Sequence, residues 1–292
     1  MIHYDEPLYR PPSEGDNLIL QATLGCSFNR CSFCSMYRSK VYRERPLETV
    51  LAEAKWAAAQ FPKTRKIFLA DGDAWTLPTD YLLELLRELG SLFPDLMRVS
   101  AYAWPLALRK KTDRELAQLS QLKLNLAYVG VETGSAALLK KITKGSSPEI
   151  HAEAIERFRE AGVKVSATVI LGLGGKTHWK EHIDETVELI EKAPPRFVST
   201  LQLGLSPEIE DEFYRKFKEP FQPQDDLGML VEQQRFLSLL NPPRPVIFRS
   251  NHASNSLALA GVLPKDSARL VKEVEEALMG QRRLRPRNLR GY

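Results

Sequence analysis

Strand and helix patterns alternate along most of this 292-residue sequence. Short apolar runs, which are typical of buried strands, are separated by stretches with helical periodicity or helix-start signals such as a capping box. Repeated strand–helix–strand units form parallel sheets, so the sequence predicts an α/β fold. The predicted strands lie at residues 17–24, 66–70, 97–102, 125–131, 163–171 and 197–203, and the predicted helices between them at 47–60, 79–92, 112–122, 148–161 and 176–193.

The three cysteines of the chain, Cys26, Cys31 and Cys34, all fall within nine positions just after the first predicted strand. Parallel α/β folds place reactive groups at the carboxyl ends of their strands. Three cysteines leave one over from a disulfide, and a closed zinc site needs a fourth ligand. Closely spaced thiolates hold iron–sulfur clusters, and three of them leave one iron of a 4Fe-4S cube open for another ligand. The alternative is a zinc site completed by a distant histidine.

This segment resembles the radical S-adenosylmethionine (radical SAM) superfamily. In that superfamily three cysteines on the loop after the first barrel strand bind a 4Fe-4S cluster, and an aromatic residue, here Phe33, precedes the third. The commonest spacing is C-x3-C-x2-C, whereas this chain has C-x4-C-x2-C. The resemblance covers about residues 17–205. Within the superfamily, this region is similar to the elongator, methylthiotransferase, nitrogenase-cofactor and coproporphyrinogen dehydrogenase-like cores. No substrate follows from the resemblance.

The resemblance implies a partial (β/α)6 TIM-like barrel, which agrees with the six predicted strands. We therefore predict an N-terminal arm at 1–16, the barrel at 17–204, and a C-terminal α/β extension at 205–292 that closes the barrel. In the extension, helices are predicted at 206–219, 225–240 and 266–279, with a strand at 245–250.

Two predicted strand ends resemble the superfamily's sites for the methionyl and ribose parts of SAM. Asp71, Gly72 and Asp73 are a loose version of a Gly-Gly-Glu turn that receives the ammonium group; the alternative is an Asp-Gly turn with solvated acids. Glu132 and Thr133 match a G-x-E-[ST]-G block that is followed by a basic-Gly pair containing Lys144. The resemblance implies that Glu132 binds ribose hydroxyls or the ammonium, with Thr133 and Lys144 as weaker contacts. The alternative for Glu132 is an internal salt bridge.

The fifth predicted strand ends in a glycine-rich turn that contains Ile170 and Gly172. It resembles the G-x-I-x-G-type segment along which these enzymes place adenine against the backbone, and glycine permits such a close approach. His178 and His182 follow four residues apart, but their order, H-W-K-E-H, is not that of a zinc protease, so we expect exposed helix residues.

A polar segment directly after the predicted strand at 245–250 supplies candidate substrate residues. Arg249, Asn251 and Asn255 are predicted to hold a polar substrate, and His252 to move a proton. Tyr102, at the end of the third strand, is the second candidate catalytic residue. The alternative is a hydrogen-bonded loop that ties the extension to the core.

The net positive charge of the chain is concentrated at its carboxyl end. Residues 281–292 contain five arginines and no acid, so RNA is a possible partner; a solvated terminus or a strap packed on the body is the alternative. No apolar run reaches the roughly 20 residues that span a bilayer, and the N-terminus lacks the features of a signal peptide. We expect no membrane association and a cytoplasmic location, which suits thiolate ligands.

The sequence therefore predicts a radical SAM enzyme with a 4Fe-4S cluster and SAM as cofactors and a low-potential electron donor of the flavodoxin or ferredoxin type. It would cleave SAM reductively to a 5′-deoxyadenosyl radical that takes hydrogen from an unidentified substrate. All three cysteines are assigned to one cluster, which argues against methylthiotransferases and other branches with a second cluster. The alternative function is an iron–sulfur electron-transfer or metal-binding protein without SAM chemistry.

Overall fold

The computed structural model describes residues 1–291 and has an α/β fold. Its strands are β1 (Leu18–Gln21), β2 (Thr23–Leu24), β3 (Arg43–Glu44), β4 (Lys66–Ala70), β5 (Arg98–Tyr102), β6 (Leu124–Glu132), β7 (Lys164–Leu171), β8 (Phe197–Gln202), β9 (Val246–Arg249) and β10 (Ala260–Leu263). Its α-helices are α1 (Leu47–Gln60), α2 (Thr79–Leu92), α3 (Asp113–Gln121), α4 (Ala136–Lys141), α5 (Pro148–Glu160), α6 (Gly175–Lys192), α7 (Pro207–Phe217), α8 (Asp226–Leu239) and α9 (Ser267–Leu278). No helix within the described residues is both long and apolar enough to cross a membrane.

Eight strands form one mostly parallel sheet in the order β1-β4-β5-β6-β7-β8-β9-β10. The pairs β1–β4, β4–β5, β5–β6, β7–β8 and β8–β9 are parallel, and the β9–β10 pair is antiparallel. The predicted strands are confirmed to within two residues at their ends, except that the first is divided into β1 and β2. β2 pairs with β3 in a separate two-stranded antiparallel sheet, which closes the base of the segment that carries the cysteines.

The chain forms two compact units. Unit 1 contains residues 1–29, 34–129 and 156–165, and unit 2 contains residues 30–33, 130–155 and 166 onward. The division into an arm, a barrel and an extension follows the order of the sequence and stays a prediction.

Unit 1 is built around strand β4. Four of its five residues are buried, as expected for a parallel strand that is covered on both faces. Helix α2 buries one stripe of leucines at helical spacing, namely Leu82, Leu85, Leu86 and Leu89. Helix α3 begins with the predicted capping box, in which Thr112 accepts from the Glu115 amide and Glu115 accepts from the Thr112 amide.

Unit 2 has an apolar core around helix α4. This helix was not predicted. The core contains Leu138, Leu139, Ile142, Ile170, Leu173, Phe213 and Phe217. Phe33, the aromatic residue before the third cysteine, packs against this cluster. The Ser32 amide also donates to the carbonyl of Ile142, so α4 holds residues 32 and 33 in place.

Candidate functional site

The three cysteines lie on the segment between β2 and β3, which we call the cysteine loop (residues 25–42). Each carries a thiol rather than a disulfide, and each is half-buried. No three His, Cys, Asp or Glu side chains between residues 1 and 291 are arranged to hold one metal ion. A 4Fe-4S cube differs from such a site because its thiolates are shared among several irons, and three thiols on one loop are the donor set that iron–sulfur clusters use.

Asp71 fixes the start of the cysteine loop. Its buried carboxylate accepts from the Gly25 amide at 2.8 Å and pairs with Lys40 Nζ at 3.0 Å. Lys40 also pairs with Asp5 Oδ1 at 3.1 Å, which connects the start of the chain to this turn. The Asp71 carboxylate is therefore occupied by groups of the protein itself, and the alternative of solvated acids is wrong.

Gly72 provides the close approach between the β4 turn and the first cysteine. Its amide donates to the Gly25 carbonyl at 3.0 Å. A Cβ atom at this position would lie 2.7 Å from the Cβ of Cys26, closer than real Cβ atoms come to other atoms. Only glycine fits here without moving Cys26.

Asp73 and an aromatic pair fix the residues that follow Cys26. The buried Asp73 carboxylate accepts from Ser27 Oγ at 2.7 Å and from the Trp104 amide at 3.2 Å. Burial raises the pKa of Asp73 to about 7, because the charged form loses its hydration. Phe28 stacks on Trp104 with ring centroids 4.9 Å apart. The loop around Cys26 is thus tied to the ends of β4 and β5.

Tyr102 lies at the end of β5 in a group of aromatic rings. Its ring contacts Phe68 edge-on at 5.3 Å and Tyr128 at 6.0 Å. Burial raises the pKa of Tyr102 well above its usual value, and the nearby Tyr128 and Cys34 add to this effect. The phenol is therefore neutral at physiological pH. Its predicted catalytic role stays a prediction.

Glu132 forms a short ion pair with Lys144 in unit 2. The Lys144 ammonium lies 2.6 Å from Glu132 Oε1, and both residues are buried. A Cβ at Gly130 would lie 2.8 Å from Lys144 Nζ, so glycine leaves room for the pair. Lys144 also lies 5.9 Å from the centre of the Phe33 ring. The internal salt bridge that sequence analysis left as an alternative for Glu132 is present.

The backbone at Glu132 is in the left-handed region, with φ of 65°. Non-glycine residues adopt this conformation rarely, and such strain is concentrated at functional sites. Thr133 follows in a tight turn, in which its amide donates to the carbonyl of Val131 at 2.8 Å and its hydroxyl oxygen accepts from the Ser135 amide at 3.0 Å. The turn presents the Glu132 carboxylate at the end of β6.

His182 connects two of the predicted SAM-binding segments. Its Nε2 lies 3.0 Å from the carbonyl oxygen of Ile170, and its Nδ1 lies 2.8 Å from Thr133 Oγ1. A carbonyl only accepts, so Nε2 carries the proton and Nδ1 accepts from the Thr133 hydroxyl. Burial lowers the pKa of His182 to about 4, which keeps the ring neutral.

The expectation that His182 is an exposed helix residue is wrong. It is fully buried, on the same face of α6 as Ile183, Thr186, Val187 and Ile190. That spacing was visible in the sequence and could have identified the residue. His178 is half-buried and contacts Glu219 through its Nε2.

Gly172 lies in the turn after β7. Its φ of 82° is a conformation that favours glycine, and its amide donates to the carboxylate of Glu232 at 2.6 Å. Glu232 was not among the predicted site residues. No signal in the sequence marks it, because its partner is a backbone amide 60 residues away.

The structure places the predicted substrate residues in two environments. Arg249 and Asn251 are exposed, whereas His252 is half-buried, with its Nδ1 at 2.8 Å from Ser254 Oγ. Burial, with a smaller contribution from Arg285, lowers the pKa of His252.

Asn255 is buried and its amide is used within the protein. Its oxygen accepts from the Gln202 amide at 2.9 Å, and its nitrogen donates to the Thr200 carbonyl at 2.7 Å and to Ser250 Oγ at 2.8 Å. These contacts are those of a hydrogen-bonded loop, which was the alternative to substrate binding.

The arginine-rich tail is packed on unit 2. The Arg285 guanidinium donates to the carbonyls of His252 at 2.9 Å and Ala253 at 2.8 Å, and Arg290 pairs with Asp226 at 2.7 Å. Arg282 pairs with Glu276 at 2.8 Å. These contacts are those of a strap packed on the body, which was one of the two alternatives to RNA binding.

The family model of the Radical SAM superfamily matches residues 20–190 of this chain. This is more than half of the chain, and the chain belongs to the radical SAM superfamily. It is therefore an enzyme of the class that uses a 4Fe-4S cluster and SAM as cofactors and needs a reductant.

Curated relatives carry methylthiotransferase names. The chain is 25% identical to a putative methylthiotransferase from Methanocaldococcus jannaschii, over 77% of this chain and 52% of that protein. It is 24% identical to the ribosomal protein uS12 methylthiotransferase RimO from a Synechococcus species, over 86% of this chain and 53% of the relative. The chain thus spans about half the length of these relatives.

Solved structures confirm the predicted fold class, a partial TIM-like α/β barrel. Coproporphyrinogen III oxidase (HemN) from Escherichia coli superposes with a TM-score of 0.58 at 18% identity, over 76% of this chain and 52% of that one. The radical SAM methyltransferase TsrM from Kitasatospora setae gives a TM-score of 0.51 at 21% identity, over 64% of this chain and 36% of that one. At these identities the likeness shows the fold alone.

Proposed function

We propose that this enzyme cleaves SAM reductively and abstracts hydrogen from a substrate. The cluster, when bound, supplies one electron to the sulfonium of SAM, which gives methionine and a 5′-deoxyadenosyl radical. The observation that supports this most strongly is the three-thiol loop within the superfamily match, with the residues around its first cysteine anchored by two buried carboxylates.

In this proposal Cys26, Cys31 and Cys34 are the cluster ligands. Asp71 and Asp73 orient the loop around Cys26 through their own hydrogen bonds, because both carboxylates are already engaged. The backbone carbonyls of the turn that contains Gly72 remain for the ammonium group of SAM.

A second group of residues is proposed to hold the ribose and adenine of SAM. Glu132 would accept from the ribose hydroxyls, while Lys144 holds its carboxylate in place and Thr133 fixes the turn. Phe33 would place an apolar face beside them. The backbone from Ile170 to Gly172 would lie against adenine.

The remaining assignments are also proposals. Tyr102 and His252 are kept as candidate catalytic residues, and Arg249 and Asn251 as substrate contacts, with Asn255 supporting their loop. A flavodoxin or ferredoxin would supply the electron, and a reducing compartment such as the cytoplasm would preserve the thiolates. RNA is an alternative partner, although Arg282, Arg285 and Arg290 are already engaged within the protein.

Anaerobic reconstitution with iron and sulfide tests the proposal. Dithionite and SAM should yield 5′-deoxyadenosine even without substrate, and alanine at Cys26, Cys31 or Cys34 should abolish both the cluster and this product. Ser35→Ala, on the same loop, is the matched control and should retain both. A cluster whose EPR spectrum ignores added SAM would instead support the electron-transfer alternative.

Methylthio transfer is a second candidate because the curated relatives carry that name. It requires a sulfur donor, and all three cysteines of this chain are assigned to one cluster. Mass spectrometry of ribosomal protein uS12 incubated with the reduced holoenzyme, SAM and sulfide separates the candidates. We expect 5′-deoxyadenosine without a methylthio product.

A further inference from the structure

Helix α8 places a buried carboxylate against the turn after β7. Glu232 is fully buried, and its Oε2 accepts from the Gly172 amide at 2.6 Å. Its Oε1 accepts from Gln224 Nε2 at 3.1 Å. Each carboxylate oxygen therefore has a hydrogen-bond donor that comes from a different segment of unit 2.

The segment from residue 221 to residue 232, which we call the clasp segment, packs closely on this turn. A Cβ at Gly172 would lie 2.9 Å from Met229 Cε, and a Cβ at Gly175 would lie 2.8 Å from the Gln222 carbonyl oxygen. The same carbonyl accepts from the Lys176 amide at 2.9 Å. Glycines in the turn are thus needed for the clasp segment to approach it.

The clasp segment lies outside the superfamily match, which ends at residue 190. The match therefore assigns no role to its contacts with the turn. A backbone that lies against a flat ring must hold its peptide planes in one orientation. Burying an amide without an acceptor is costly, so Glu232 favours one orientation of the Gly172 amide.

We propose that Glu232 is a positioning residue for the adenine of SAM, acting through the Gly172 amide. This inference rests on the proposed function, in which the turn from Ile170 to Gly172 receives adenine. Glu232 itself touches neither the reacting atoms nor the cluster in this proposal. It belongs to the region that sequence analysis assigned to the C-terminal extension, which gives that region a part in cofactor binding.

Calorimetric titration of the reconstituted, unreduced holoenzyme with SAM tests the inference. Glu232→Ala should weaken SAM binding by about tenfold, because the buried amide loses its carboxyl acceptor. Glu232→Gln keeps an acceptor oxygen and should bind within about threefold of wild type. Glu275→Ala, which removes an exposed carboxylate from α9, is the matched control and should leave binding unchanged.

Methionine, a probe without adenine, distinguishes positioning from a general structural defect. It should bind wild type and Glu232→Ala equally. Three results would each overturn the inference: unchanged SAM affinity in Glu232→Ala, a parallel loss of methionine affinity, or a Glu232→Gln variant that binds SAM as weakly as Glu232→Ala.

If Glu232→Ala does not fold, Glu232→Gln and Gln224→Ala replace it. Gln224→Ala should lose about threefold in SAM affinity. No loss of SAM affinity in Gln224→Ala would count against the inference. Wild-type holoenzyme that does not bind SAM would overturn the proposed function itself.

Discussion

The hydroxyl of Thr133 donates to the imidazole Nδ1 of His182 across 2.8 Å, inside a buried part of unit 2. The other ring nitrogen donates to the Ile170 carbonyl. One neutral histidine therefore joins the turn after β6 to the end of β7, two segments to which separate parts of SAM are assigned. This relationship gives the first two predictions.

Replacing His182 by alanine should destabilise the protein by about 3 kcal/mol, because it removes two buried hydrogen bonds and opens a cavity. Urea unfolding of the apoprotein at neutral pH measures the change. His178→Ala, on the same helix but half-buried, should cost less than about 1 kcal/mol. Equal effects of the two variants would show that the His182 hydrogen bonds contribute nothing.

The stability that His182 contributes should depend on pH. Its pKa is lowered to about 4 in the folded state, so the unfolded state binds the extra proton between pH 4 and about 6.5. Stability from this residue is thus present above pH 6.5 and is lost as the pH falls. The difference in unfolding free energy between wild type and His182→Gln should be about 2 kcal/mol larger at pH 7.5 than at pH 5. A difference that does not change with pH would contradict the neutral, buried ring.

Lys144→Met should destabilise the protein by about 3 kcal/mol or more, because it leaves the Glu132 carboxylate buried without its ammonium partner. The double variant with Glu132→Leu should recover part of this loss, since no unpaired charge remains. Unfolding of wild type, both single variants and the double variant forms a cycle that isolates the pair. Additive losses would mean that the two side chains are independent.

Gly72→Ala should reduce the iron content of the reconstituted protein, because its Cβ would lie 2.7 Å from that of Cys26 and displace it. Gly90→Ala is the control, since a Cβ there meets no atom within 4 Å. In helix α2 that change should stabilise the protein by about 0.5–1 kcal/mol. Iron analysis after desalting gives the readout, and full iron content in Gly72→Ala would show that the loop can adjust.

Arg285→Ala should lower stability by about 1–2 kcal/mol, because the carbonyls of residues 252 and 253 lose a charged donor. Arg283→Ala, an exposed change in the same tail, should be neutral. Thermal unfolding of the two variants compares them. If they unfold alike, the tail does not act as a strap, and salt-dependent RNA binding becomes the property to measure.

Much of the fold could be predicted because its signals are local. Strand β4 and helices α1 and α2 have the predicted bounds, and the capping box at Thr112 marks the start of α3. Helix α4 has only six residues, too few for a periodic pattern, and β10 is a four-residue edge strand.

The site was predictable where chemistry depends on residue type and spacing, as for the three cysteines. It was less predictable where burial decides the role. Asp71 follows a strand in a turn typical of the surface but is fully buried, and Glu232 is bound by a backbone amide far along the chain. Such partners depend on tertiary structure, which no local pattern encodes.

Lys40 is shared between Asp71 and Asp5, so the opening residues of the chain help to hold the ammonium that pairs with the Asp71 carboxylate, which in turn binds the amide just before the first cysteine. Proteolytic trimming of the amino end during purification would therefore remove part of what positions Lys40, and with it the anchoring of the loop at Cys26. Pale preparations, poor in iron, would be the practical sign of such clipping, and an affinity tag there should be joined through a flexible spacer.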